Sequence, residues 1–241
     1  MDTEKSARLE ALLTTIQQRW GVDALRKMNA LPPAAPGVLT GFPTLDAALE
    51  GGGIPRGQTT ELLGRATSGM TTLAYKIVHH AQAQDACAIY IDLEGTFDPD
   101  YAARCGVALD RLFLVRPDTR VEALDIAYDL LSSARIGALA LDLGRTVPES
   151  RLLHRLTSVL SRSGCMVLLL IWLPDDVSAP LTVHNTPSAL RLLIDRKAWL
   201  CQMDDIVGYQ TAVTVLKGRT GVGRQVEIDI TFDSLVNGDP T

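Results

Sequence analysis

The feature that most constrains this chain is a loop bounded by two glycines, between an apolar run and a helix-like segment. The loop is Gly64-Arg-Ala-Thr-Ser-Gly-Met-Thr-Thr72; it follows Glu61-Leu-Leu63, and the helical pattern after it runs to Gln84. It matches the phosphate-binding loop G-x-x-x-x-G-K-[ST] at every fixed position except one. Its glycines let the backbone turn tightly and point N–H groups inward, as a phosphate at a helix N-terminus requires.

The exception is Met70, which stands where the motif has its lysine. A thioether has similar reach but neither charge nor strong donor, so it cannot pair with the β- and γ-phosphates. One charge-assisted phosphate contact contributes roughly 1.5–3 kcal/mol, about ten- to a hundredfold in affinity. We therefore expect any ATP and Mg²⁺ binding to be weak, and a plain strand-to-helix turn is the alternative. The predicted nucleotide-contacting residues of the loop are Gly64, Thr67, Ser68, Gly69, Met70, Thr71 and Thr72.

Composition limits the class of protein. The 241 residues are 46% hydrophobic and 21% charged, which suffices for a substantial core. A net charge of −5 argues against a generally basic nucleic-acid surface. The longest apolar run, Cys165–Leu173, is far shorter than the roughly 18 residues of a membrane span, and the charged N-terminus is not a signal peptide. We expect a cytoplasmic protein without membrane contact.

The four cysteines are widely spaced and form no C-x-x-C motif. This spacing favours buried, reduced side chains over a metal site. They are Cys87, Cys105, Cys165 and Cys201.

After the loop, apolar strands alternate with helical segments, and beyond residue 188 strands follow one another. Strands without polar alternation, each followed by a helix, indicate a parallel sheet covered on both faces. We expect an α/β fold, a mostly parallel twisted sheet with helices on both faces and antiparallel strands at the C-terminal end. The predicted strands are 59–63, 86–92, 111–115, 138–142, 165–173, 189–195 or further, 210–216 and 225–231, and the predicted helices of this region are 71–84, 99–105, 121–134 and 149–163.

Residues 1–37 are predicted to be an N-terminal docking helix with its linker, and residues 38–241 the core domain. Residues 5–20 place apolar side chains on one helical face, and Gly21 ends the helix. A proline-rich spacer over residues 31–37 is stiff and short enough to act as an arm. The helix must bury its stripe on its own core or on another subunit, and the pattern leaves both open. The stripe is Leu9, Leu12, Leu13, Ile16 and Trp20.

Three acids lie at the ends of predicted strands, where parallel sheets bind ligands. Asp142 ends one strand and beside a phosphate loop would orient Mg²⁺ through water. Asp92 and Glu94 lie at the end of another, where a carboxylate can polarise an attacking water. For each of them, a capping or solvated loop acid is the alternative.

Several segments together resemble the bacterial recombinase RecA family. The resemblance runs from about residue 9 to about residue 232 and implies a RecA-like P-loop ATPase core. It also implies that the N-terminal helix packs on a neighbouring protomer. Besides the phosphate loop, the segments are Thr40-Gly-Phe-Pro-Thr-Leu-Asp-Ala-Ala-Leu49, Gly51-Gly-Gly-Ile-Pro55, Tyr90-Ile-Asp-Leu-Glu-Gly-Thr-Phe-Asp-Pro-Asp-Tyr101 and Arg116-Pro-Asp-Thr119.

The resemblance implies a role for individual positions. Glu94 corresponds to the catalytic glutamate that activates water, and Thr71 with Asp142 corresponds to the Mg²⁺-associated pair. The adenine-contacting positions are Asp98 and Tyr101, and the positions of two lysines that reach ATP across the subunit interface are Lys217 and Arg219.

The departures from the family pattern affect catalysis first. Met70 replaces the phosphate lysine, and Leu143 stands where a serine is expected. Trp172 stands where the family uses a glutamine to sense the γ-phosphate and relay it to DNA. An indole N–H only donates, so it cannot copy an amide that both donates and accepts.

Other departures affect the DNA-binding loops. Residues 146–149 are far shorter than the family's first DNA-binding loop. The second becomes residues 174–187, which carry Asp175 and Asp176 and no Lys or Arg. An acidic loop repels a phosphate backbone where the family grips it. We also expect the family's C-terminal domain to be missing.

These losses predict a RecA-like accessory protein of the bacterial DNA damage response, similar to the ImuA-type factors of damage-induced mutagenesis. We expect negligible ATPase activity with a vestigial Glu94, no requirement for a cofactor, and weak or no DNA binding. The expected partners are RecA or a Y-family polymerase-like protein, with self-association as a further expectation. Two alternatives stay open: a DNA-dependent ATPase in which Arg65 or Lys217 replaces the lysine, and a cell-division inhibitor of the SulA type.

Overall fold

The computed structural model describes residues 2–21, 25, 36–49, 51–84, 87–133, 136–145, 150–174, 186–203, 205–219 and 221–232. Contacts divide the chain into two compact units, Met1–Ala34 and Ala35–Thr241. Within the described residues, no helix is both long enough and apolar enough to cross a membrane.

Helices and strands alternate through the first part of the second unit. The α-helices among the described residues are α1 (Asp2–Trp20), α2 (Pro43–Ala48), α3 (Met70–Gln82), α4 (Pro99–Arg104), α5 (Arg120–Ser133) and α6 (Ser150–Ser163), and a short 3-10 helix spans Leu109–Arg111. The strands are β1 (Thr59–Gly64), β2 (Ala88–Asp92), β3 (Leu112–Val115), β4 (Ala138–Asp142), β5 (Met166–Trp172), β6 (Leu190–Gln202), β7 (Asp205–Lys217) and β8 (Gln225–Thr231).

The described strands form one eight-stranded sheet in the order β3-β2-β4-β5-β1-β6-β7-β8. The pairs from β3 to β6 are parallel, and β6, β7 and β8 pair antiparallel in succession. This sheet confirms the predicted fold class.

Two hydrophobic clusters cover the central strands from opposite faces. In β1, Leu62 belongs to the cluster that contains the buried side of α3, and its neighbour Leu63 belongs to the cluster with α5 and α6. All six residues of β1 are buried, as are all five of β4. Since a strand sends successive side chains to opposite faces, two-sided burial explains why these strands read as continuous apolar runs.

Local signals explain where two helices begin. Asp98 precedes α4 and its carboxylate accepts a hydrogen bond from the Tyr101 N–H at 3.0 Å. Thr119 precedes α5; its hydroxyl accepts from the Glu122 N–H at 3.2 Å, while the Glu122 carboxylate accepts from the Asp118 N–H at 3.0 Å. Each pairing satisfies N–H groups that a helix start leaves without partners.

Helix α1 is longer than predicted at its start and ends, as predicted, at Gly21, whose φ is +93°. Leu9, Leu12 and Trp20 of the predicted stripe are exposed, and Leu13 and Ile16 are half-buried. Residues 31–35 of the proline-rich spacer lie outside the described residues.

The largest departure from the predicted elements is the β6–β7 hairpin. Both strands are 13 residues long, whereas the sequence pattern carried the first to Asp195 or further, without an end point, and began the second at Gln210. Residues at the end of β6 and the start of β7 have mixed polarity, because much of this segment is exposed. The apolar pattern that predicts a strand therefore stops before the strands themselves end. Cys201 lies here and is exposed, and Cys87 is half-buried; the prediction of four buried cysteines was wrong for both.

A buried ion pair links β1, the strand that leads into the phosphate loop, to its neighbour β6. Glu61 on β1 accepts from Arg191 Nε on β6, and Arg191 Nη2 donates to the Thr186 hydroxyl at 2.6 Å. Both charged side chains are almost fully buried. Removing one member of such a pair leaves an uncompensated charge in the interior.

We predict that Arg191→Met lowers the free energy of unfolding by about 3–5 kcal/mol, because Glu61 is left buried without its cation. Glu61→Leu combined with Arg191→Met should recover most of that loss. The matched control is Lys197→Ala, which breaks an exposed pair with Asp195 and should change stability by less than about 1 kcal/mol. Urea denaturation of the four proteins measures these differences, and a double variant no more stable than Arg191→Met would contradict the prediction.

Candidate functional site

The phosphate loop leaves the sheet between β5 and β6. Gly64, the last residue of β1, is paired with Trp172 on β5 and with Ile194 on β6. The carboxyl ends of β1, β4 and β5 therefore meet beside the loop, and α3 begins immediately after it. This is the edge at which open α/β sheets bind ligands.

The loop backbone includes positive φ angles and a close approach that favour glycine at particular positions. Gly69 has a φ of +96°, and a Cβ on Gly64 would lie 2.4 Å from the Ser68 hydroxyl. Thr67 adopts a φ of +62°, which is strained for a β-branched side chain. Strain of this kind persists only where the surroundings fix it, and it concentrates at binding sites.

Strand β7 holds the loop from outside. The Thr211 hydroxyl donates to the Ser68 carbonyl at 2.9 Å. The Thr72 hydroxyl lies 2.6 Å from the Tyr101 hydroxyl and 3.0 Å from that of Tyr209. Burial raises the pKa of both tyrosines, so both phenols stay protonated at neutral pH. These neutral contacts fix the first turn of α3.

The position of the motif's lysine has become part of the hydrophobic core. Met70 is 1% exposed and belongs to the cluster that covers one face of the sheet. Its N–H lies 3.4 Å from the hydroxyl of Ser68, which is itself buried. The side chain that would reach a phosphate therefore packs against apolar residues instead.

Asp142 is engaged by three protein donors. Its Oδ1 accepts from Trp172 Nε1 at 2.8 Å and from the Gly144 N–H at 3.3 Å, and its Oδ2 accepts from the Tyr90 hydroxyl at 3.3 Å. Burial raises the pKa of Asp142, although the bonds from Trp172 and Gly144 act in the opposite direction.

These residues do not fit a Mg²⁺ site. The indole N–H of Trp172 holds the carboxylate that would orient the ion's water. Thr71, the other predicted member of the metal pair, lines the adjoining cavity.

The other acids at this edge have separate environments. Asp92 is buried and accepts from the N–H groups of Thr96 at 2.9 Å and Phe97 at 3.0 Å, so it shapes its own loop. Glu94 is exposed, and its carboxylate lies against Gly144, where an added Cβ would be 2.0 Å from Oε1. Asp98 is exposed as the cap of α4. Of the two predicted adenine contacts, only Tyr101 lines the cavity beside the loop.

Lys217 and Arg219 lie away from the phosphate loop of their own chain. In the β6–β7 strand register, Lys217 lies opposite Arg191, near the start of β6. The Lys217 Nζ donates to the Thr186 carbonyl at 3.2 Å. Both cations line a separate cavity of about 430 Å³ near Thr59, at the amino end of β1. Lys217 is therefore not placed to replace the loop lysine within one chain. Residues 146–149 and 175–185, the two predicted DNA-loop segments, lie outside the described residues apart from the flanking positions.

A cavity of about 290 Å³ adjoins the loop and brings in residues that sequence reasoning missed. No motif marks them, because they come from strands distant in sequence and meet only in the folded sheet. Outside the loop, the lining consists of five aromatic side chains and Arg196, a mixture typical of ligand sites. Beyond the loop, Tyr101 and Trp172 also line the cavity, and the sequence had already singled out both. The four lining residues that it missed are Arg196, Trp199, Tyr209 and Phe232.

A mostly parallel sheet with a phosphate-type loop at its carboxyl edge is a P-loop nucleotide-binding architecture. The family model for the RecA N-terminal domain matches residues 7–152. Protein RecA of Gluconobacter oxydans (strain 621H) is 32% identical over 260 residues, covering 95% of this chain and 75% of that protein. Protein RecA of Blastochloris viridis is 32% identical over 261 residues, with the same coverage of each chain. This chain belongs to the RecA family, which confirms the resemblance.

We predict that Asp142→Asn is at least as stable as the wild type at pH 7.5, because an amide can keep all three hydrogen bonds without a buried charge. A raised pKa means that the folded state favours the protonated acid, so wild-type stability falls as pH rises through that pKa. The advantage of the Asn variant should therefore shrink as the pH is lowered. Thermal unfolding from pH 4 to 8 measures this.

Asp142→Ala is the matched control for that prediction. It leaves three donors without an acceptor and should lose roughly 1–3 kcal/mol for each one that stays buried and unpaired. An Asn variant less stable than the wild type at pH 7.5 would mean that the carboxylate charge itself holds the site together.

Proposed function

We propose that this RecA-family chain is an accessory or regulatory factor of the bacterial DNA damage response that acts through protein contacts. Its role would lie in translesion mutagenesis or in the control of RecA filaments, in the cytoplasm. The observation that carries the proposal is the hydrogen bond from Trp172 to Asp142, which engages the acid that a P-loop ATPase needs for Mg²⁺.

The chemistry of phosphoryl transfer explains the weight of this bond. Catalysis there consists almost entirely of positioning and of cations that counter the developing charge. Met70 removes one cation, and the engagement of Asp142 disfavours the other. Glu94 remains exposed near Gly144, yet a base that activates water contributes little without those charges. Slow or absent hydrolysis follows.

The sequence of the second DNA loop supports the loss of recombinase activity. Asp175 and Asp176 fall in a segment without Lys or Arg, and the whole chain carries a net charge of −5. Since nucleic-acid affinity comes largely from neutralising phosphates, weak or no DNA binding is expected.

Two apolar surfaces suit contact with another RecA-fold protomer. Helix α1 exposes three large residues of its stripe, Leu9, Leu12 and Trp20, by 56%, 56% and 62%. Strand β3 is an edge of the described sheet and exposes Phe113 and Leu114 by 62% and 39%. Unprotected apolar edges are uncommon in proteins that work alone. We assign α1 to docking on a second RecA-fold subunit, and β3 as a surface that receives such an arm.

The partner is proposed to be RecA, with a Y-family polymerase-like protein as the factor recruited to it. Two other functions would give different results in the same assays. A DNA-dependent ATPase would need Arg65, or Lys217 from a second copy of the chain, as its substitute cation. A SulA-type inhibitor would bind a cell-division protein instead.

We predict that the wild-type chain hydrolyses ATP well below one turnover per second, roughly the lower limit of ordinary enzymes, with or without single-stranded DNA. Met70→Lys should improve nucleotide affinity by up to about a hundredfold without restoring turnover, because Trp172 still engages Asp142. The control is Met203→Lys, which adds the same charge at a position 94% exposed. DNA-stimulated turnover near one per second in the wild type would overturn the proposal.

We predict that Leu13→Asp combined with Trp20→Ala abolishes association with itself or with RecA and leaves the core folded. Burying each side chain at an interface contributes roughly 1.5–3 kcal/mol, so the loss should exceed a hundredfold in affinity. The control is Val222→Asp, an exposed apolar residue in the turn before β8. Light scattering, RecA pull-down and circular dichroism provide the readouts. Unchanged association, or unfolding of the isolated chain, would show that α1 has another role.

A further inference from the structure

The cavity beside the phosphate loop has an unusual charge balance. Its two charged lining residues are Arg65, in the loop, and Arg196, on the distant strand β6. Among the described residues that line it there is no Asp or Glu. The N-terminus of α3 opens into the same space and adds its own positive end. The cavity therefore favours an anion.

Arg196 is held in place by an aromatic ring. Its guanidinium carbon lies 4.3 Å from the centre of the Trp199 ring, and Trp199 packs edge-on against Tyr209, whose hydroxyl contacts Thr72 at the start of α3. Arg196 forms no ion pair with a described residue, and the neighbouring acid Asp195 is paired with Lys197. A guanidinium stacked on an indole keeps its N–H groups available at its edge.

The same cavity offers flat apolar surfaces for a base. The rings of Tyr101, Trp199 and Phe232 line it, and about half of the Trp199 surface is exposed. Base–aromatic stacking tolerates any nucleobase, because every base has a π-face. Phosphate-binding groups and stacking surfaces thus occur together in one site.

The engagement of Asp142 determines which phosphate ligand suits this site. Without a Mg²⁺ site, the charge of the ligand must be balanced by protein cations alone. Two arginines and a helix N-terminus can balance a diphosphate. A third phosphate would meet neither the loop lysine nor a metal.

We propose that Arg196 is the specificity-determining cation that this site uses in place of the loop lysine, and that the site binds a nucleoside diphosphate without Mg²⁺. This rests on the reading of the loop as a weak nucleotide site within the proposed function. The role of Arg196 distinguishes the proposed site from a weakened ATP site. In a weakened ATP site, Mg²⁺ would strengthen whatever nucleotide binding remained.

Calorimetric titration of the full chain with ADP, in EDTA and in Mg²⁺, tests the proposal. We expect a measurable affinity that differs by less than about threefold between the two conditions, with ADP bound at least as tightly as ATP. Arg196→Ala should weaken ADP binding about ten- to a hundredfold, and Arg196→Lys should fall between it and the wild type. The matched control is Lys197→Ala, the neighbouring cation on β6, which should leave the affinity unchanged.

The outcomes separate this proposal from the one on function. No ADP binding by the wild type, binding that needs Mg²⁺, or equal affinity in Arg196→Ala would each overturn the role of Arg196, while the accessory function would stand. Rapid ATP hydrolysis would overturn the accessory function. The ADP affinity of Arg196→Ala would still decide the role of Arg196. Circular dichroism shows whether Arg196→Ala folds. If it does not fold, the ADP affinities of Arg196→Lys and Trp199→Phe are measured in its place. Wild-type affinity in Arg196→Lys would then overturn the stacking argument.

Discussion

The constraint on which this structure depends is that its central parallel strands are buried on both faces. Such strands cannot carry charged side chains along their length without a partner, so charged groups gather where the strands end. The phosphate loop follows β1, Asp142 ends β4, and Trp172 ends β5. Glu61 and Arg191 are charged side chains inside the sheet, and each is neutralised by the other in a buried ion pair. The position of the candidate site thus follows from the burial of the sheet.

Within that frame, neutral contacts take the place of ionic ones around the loop. Met70 packs in the core where a phosphate lysine would stand, and the indole of Trp172 donates to Asp142 where a metal-bound water would. The two changes reinforce each other, since a site without its metal gains less from the lysine, and a site without its lysine binds the metal–triphosphate less well. What remains beside the loop is a cavity lined by two arginines, with the N-terminus of α3 at its edge.

The two compact units divide the proposed work of the chain. The core unit keeps the family fold with an altered site. The N-terminal unit keeps an amphipathic helix with three large exposed apolar residues. Exposed apolar side chains lower the free energy of a protein only when something covers them. In the proposed function, a related subunit would cover these side chains.

The sequence by itself determined the parallel sheet, the order of helices and strands, the phosphate loop and the loss of its lysine. These are local properties: continuous apolar runs, glycines at a turn and a missing charge can all be read along the chain. The tertiary structure decided what the altered residues do. Three features depend on strand register between segments up to about 140 residues apart. They are the hydrogen bond from Trp172 to Asp142, the contacts of Tyr209 and Thr211 with the loop and the start of α3, and the position of Arg196 at the cavity. The long β6–β7 hairpin escaped prediction for the same reason, because an exposed ribbon is held by pairing between strands and leaves only a faint apolar pattern in either one.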